Sequence, residues 1–78
     1  MSYEFDSAAL TSATIEYLHD NFSYTDWGLV VDVVEYLQAT CEESEENFFT
    51  NLKCIFKELD NQDIQKIKIA YTENKKFM

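Results

Sequence analysis

Residues 27–41 read WGLVVDVVEYLQATC, and the architecture turns on whether that run is a helix or a strand. Its four valines, 30, 31, 33 and 34, favour a strand when taken singly, because β-branched side chains are stiff at χ1 and fit a pleated surface. Their spacing favours a helix. Val30, Val33, Val34, Leu37 and Cys41 recur at intervals of three and four, widened by Leu29 and Tyr36, with Asp32, Glu35 and Gln38 opposite and Val31 off the stripe. The valines lower helix propensity, so tertiary packing has to hold such a helix. A strand over residues 29–37 is the alternative.

Upstream, residues 21–25 hold Asn, Ser and Thr, which compete for backbone hydrogen bonds, and Ser23, Thr25 or Asp26 can each cap the helix that follows. Before them, Leu10, Ala13, Thr14, Tyr17 and Leu18 oppose Ser12, Glu16, His19 and Asp20, which predicts a helix over residues 7–20. Asp6 or Ser7 serves as its N-cap, with Phe5 as a hydrophobic staple. Downstream, the acidic run 42–46 ends the valine-rich helix and opens a third one, capped by Ser44 and reaching Leu59. Phe48, Phe49, Leu52, Ile55, Phe56 and Leu59 face inward in that reading, with Lys53 and Lys57 near its negative end. Residues 60–63 offer another cap. Ile64, Ile67 and Tyr71 then mark a fourth helix to about residue 73, although Ile67, Ile69 and Tyr71 also alternate as a strand would.

The expectation is an all-α fold: one domain over residues 1–78, a small antiparallel or orthogonal bundle of three to four short helices, frayed at about 1–5 and 74–78. A single glycine and no proline argue against repeated β-turns, and 46% apolar residues argue against disorder. No basic, apolar leader opens the chain and no apolar run reaches membrane-spanning length, so a cytoplasmic protein without a membrane partner is expected. Cys41 and Cys54 fit neither a redox pair nor a zinc framework. Both are read as buried thiols on apolar faces, the second about 15 Å along the next helix and out of disulfide reach.

Charge carries the functional signal. Residues 1–52 contain eleven acids and no lysine or arginine, a local charge of −11, and the remaining residues carry +2, giving the total of −9. Such a field repels nucleic acid directly and attracts basic proteins. Carboxylates along a helix lie about 6 Å apart against about 1.7 Å per charge in a duplex, so any mimicry of nucleic acid is partial. The plainer reading is a solvated helix face.

The candidate partner-binding residues are Glu16, Asp20, Asp32, Glu35, Glu42, Glu43, Glu45 and Glu46, with Tyr24 and Trp27 as aromatic anchors, although Phe22 and Trp27 more plainly close the end of the core. Catalysis is not expected: there is one histidine, placed on the surface, and no nucleophile–base pair, phosphate loop or EF-hand. No cofactor or metal is implied. The sequence points to a small acidic protein-binding module, an inhibitor or regulator that docks a basic, including a nucleic-acid-binding, surface of a larger partner. In size and charge alone it is similar to phage anti-defence and bacteriocin immunity proteins, and the lysine-only, Asn- and Ile-rich composition suits a mobile element. The alternative is an architectural homo-oligomeric module.

Overall fold

The computed structural model describes residues 5–41 and 44–76, with side chains as far as Glu73. Four helices follow one another: α1 (Ser7–Asn21), α2 (Trp27–Thr40), α3 (Glu45–Ile55) and α4 (Asn61–Lys76), and no strand occurs among the described residues. The valine-rich run is therefore helical, as its spacing indicates, and so is the stretch 64–73. α4 continues past residue 73 to Lys76.

Each start is written in a side chain. Asp6 accepts from the Ala9 amide at 3.1 Å, Asp26 from Leu29 at 3.1 Å and Ser44 from Asn47 at 3.1 Å. Asp60 and Asp63 cap α4 reciprocally: the Asp63 amide donates to Asp60 Oδ1 at 2.9 Å and the Asp60 amide to Asp63 Oδ2 at 3.0 Å. That pair is a capping box with aspartate in place of glutamate. Phe5 is half-buried, its ring edge-on to Tyr71 of α4 at 6.2 Å.

α3 is shorter than its apolar period suggests. It stops at Ile55, Phe56 caps it, and residues 57–58 form a turn closed by the Leu59 amide on the Phe56 carbonyl at 3.0 Å. Phe56 and Leu59 are both buried, so the turn preserves the inward i, i+3 pairing and hides the break from a periodicity argument. Lys57 consequently lies beyond the helix, and Ile55, at the edge of the stripe in the last turn, is 48% exposed instead of inward.

α1 packs against both α2 and α4, and α2 also packs against α3. Being covered on two sides, α1 buries more than expected: Ala9 and Thr11 join Leu10, Ala13, Thr14 and Leu18. α2 buries Val30, Val34 and Leu37, with Cys41 at its C-cap. Leu29 and Tyr36 do not widen that stripe; they are 59% and 65% exposed, since α1 and α3 cover only one side of the helix. Cys54 likewise departs from expectation. It lies on the outer side of α3 and is exposed, whereas Cys41 is buried, and both thiols are free.

Candidate protein-docking surface

The described binding candidates fall on three surface features and on the first turn of α3. The first is a groove of about 200 Å³ between α1 and α4, lined by Ala13, Glu16, Tyr17, Asp20, Asn21, Ala70 and Glu73. Small residues on both helices, Ala13 and Ala70, leave it open, and Glu16, Asp20 and Glu73 give it three carboxylates. Tyr17 crosses toward α4 and donates its hydroxyl to Asp63 at 2.5 Å. Burial, then that hydrogen bond, then the charges of Asp63 and Asp60 push the Tyr17 phenol up to about 12. The same bond, with the Asp60 amide behind it, holds the Asp63 carboxyl below its ordinary value against the opposing effect of burial.

The second feature is the outward side of α2. At about 100° per residue, Leu29 and Tyr36 fall within about 20° of one another, with Asp32 about 40–60° to one side and Glu35 farther round the same way. All four are exposed, and so are the small residues Gly28 and Ala39. A Cβ added at Gly28 would meet only Asp26 Oδ1, at an ordinary 3.7 Å, so the surface there is open. Periodicity assigned Leu29 and Tyr36 to the core; the wheel angle, about 140° from Leu29 to Val34, is the signal that separates them from it.

The third is aromatic. Phe22, Tyr24 and Trp27 run through the α1–α2 connection with centroids 6.1 and 6.5 Å apart and tilts of 34° and 32°. Tyr17 meets Phe22 edge-on at 6.4 Å, Tyr24 meets Phe56 edge-on at 6.0 Å, and His19 meets Trp27 edge-on at 5.2 Å. The inner rings close one end of the core and the outer ones line an open depression of about 400 Å³ formed by His19, Phe22, Ser23, Tyr24 and Trp27. Tyr24 donates its hydroxyl to Glu58 at 2.5 Å, and burial followed by this bond and the Glu58 charge pushes its phenol well above the ordinary value. His19 is exposed, its Nδ1 3.4 Å from Asp20 Oδ1.

The two carboxylate pairs thus line different features, Glu16 and Asp20 the α1–α4 groove, Asp32 and Glu35 the outer side of α2. Glu45 and Glu46 occupy the first turn of α3, Glu45 half-buried and Glu46 exposed, while Glu42 and Glu43 lie outside the described residues. The described lysines gather elsewhere: Lys53 reaches Asn61 at 2.8 Å, and Lys68 sits 5.3 Å over the Phe49 ring. Among the described residues, no group of three or more His, Cys, Asp or Glu side chains could hold a metal ion, and no helix is long and apolar enough to cross a membrane. Comparisons with models of known protein families, with curated proteins and with solved structures find no match.

Proposed function

We propose that this chain is a protein-binding module, without catalysis of its own, that docks its acidic surface on a basic surface of a larger protein and thereby inhibits or regulates it. The observation that carries the reading is the outer side of α2. Leu29 and Tyr36, 59% and 65% exposed, share that side with the exposed carboxylates Asp32 and Glu35. Apolar and aromatic side chains supply short-range affinity at an interface core, while unopposed charge supplies steering and partner choice. A partner that normally grips phosphates with lysine and arginine offers the complementary field.

The test is kinetic. With a captured partner, association is measured at about 50 and 200 mM salt, where screening lengths differ by about a factor of two. The pair Asp32→Lys with Glu35→Lys should lower the on-rate at least tenfold and flatten its salt dependence. Leu29→Ser with Tyr36→Ala should act mainly on the off-rate. On-rates indifferent to salt and to reversal would leave the carboxylates as solvated surface. A second reading, homo-oligomerisation, draws on Ile69, 58% exposed beside Lys68 on α4, which could meet the acidic side of α2 on another copy. Light scattering that returns a strict monomer at micromolar concentration removes it.

A further inference from the structure

The aromatic depression is built from residues that the acidic docking reading uses only loosely. Four of its five lining residues carry rings, His19, Phe22, Tyr24 and Trp27, and their mutual tilts make a shallow trough instead of a flat wall. At about 400 Å³ and open to solvent, it suits a side chain laid in from outside better than an enclosed small molecule. Three carboxylates stand near it. Asp20 stands at the rim against His19, Asp26 caps the adjoining helix, and Glu58 holds the Tyr24 hydroxyl. No lysine or arginine occurs in the first 52 residues. An electron-rich ring face inside a negative field selects an organic cation, and a planar guanidinium most of all, because it can stack as well as attract.

We infer that the depression formed by His19, Phe22, Tyr24 and Trp27 receives an arginine side chain from a basic segment of the docked protein. The inference rests on the acidic docking reading and gives it a point of registry: long-range charge brings the partner in, and this trough fixes where one guanidinium seats.

The probe is a blocked peptide alternating arginine and glycine, compared at about 50 mM salt with its citrulline counterpart, which keeps the shape and loses the charge. Binding is followed by NMR. Ring currents should move the arginine side-chain methylene signals upfield, and the Trp27 indole N–H should shift with them, whereas the citrulline peptide should leave both in place. Trp27→Leu, which keeps an apolar filler but removes the best ring, should weaken the peptide about three- to tenfold. Asp20→Asn, on an exposed side chain that does not touch the core, should weaken it about twofold and covers the case in which Trp27→Leu fails to fold. If the shifts fall on Leu29, Asp32 and Tyr36 and both variants bind like wild type, the trough is not the seat, and the docking reading survives without it. If no arginine peptide binds at all, the inference is overturned and the docking reading loses its support as well.

Discussion

Thr11 carries a hydroxyl into the core, where it is 5% exposed and its Oγ1 has no hydrogen-bond partner among the described residues. Thr14, the other buried threonine, returns its hydroxyl to the Leu10 carbonyl at 2.8 Å. A buried polar group without a partner costs about 1–3 kcal/mol. Thr11→Val, nearly isosteric and likewise β-branched, should therefore raise stability by about 1 kcal/mol in urea melts, while Thr14→Val should give no such gain. A loss on Thr11→Val would mean that the hydroxyl is satisfied after all. At this scale the sequence misleads where a residue type has two ordinary homes. Tyr36 and Leu29 look like core by type and spacing, and their wheel angle from Val34 together with the two helices that cover α2 puts them outside. Cys54 is exposed for the same reason, since a cysteine's preference for burial says nothing about which side of α3 is covered.

The helices were legible because period and cap agree. Asp6, Asp26, Ser44 and Asp60 each stand just before an apolar period begins, and each accepts a bond from its own first turn. Ends were less legible, because a turn can carry the same i, i+3 burial as a helix, as Phe56 and Leu59 do. Contacts between elements leave no local trace at all. The bond from Tyr17 on α1 to Asp63 on α4 spans 46 residues. It makes stability depend on pH at both extremes. Tyr17 is raised from 10 to about 12 in the fold, so its contribution is full below pH 10 and is lost as pH rises through 12. Asp63 is lowered, so its contribution is present above pH 3.8, the ordinary value, and is lost as pH falls through its folded value. Thermal melts should fall more steeply between pH 10 and 12 for wild type than for Tyr17→Phe, with absorbance titration of the phenols as the check. Equal slopes would mean that the bond does not persist in solution.

For the whole molecule the governing quantity is charge, −9 over 78 residues. Eleven acids in the first 52 residues have no lysine or arginine among them, and the lysines gather around α3 and α4. Self-repulsion of this kind lowers stability and is relieved by salt. Raising sodium chloride from about 20 to 300 mM should lift the melting temperature by about 2–5 °C. A melting temperature that falls with salt would show that internal attraction, not repulsion, dominates the electrostatics.

First in the sequence, α1 is flanked in space by α2 on one side and α4 on the other. The Asp6 amide meets the Tyr71 hydroxyl at 3.0 Å across 65 residues. A chain emerging from the ribosome can pair α1 with α2, and α2 with α3, as each appears, since those contacts close short loops. The other flank of α1 must wait for α4. Until Tyr71 is made, that flank has nothing to bury against, and the domain closes only with its final helix. With residues 5 and 71 in contact, the start of α1 lies against the later half of α4, so a linker from the end of α4 could lead back to α1 and a new start could be cut at an exposed turn such as residues 57–58. Such a permuted chain would make α4 before α1 and reverse which flank waits.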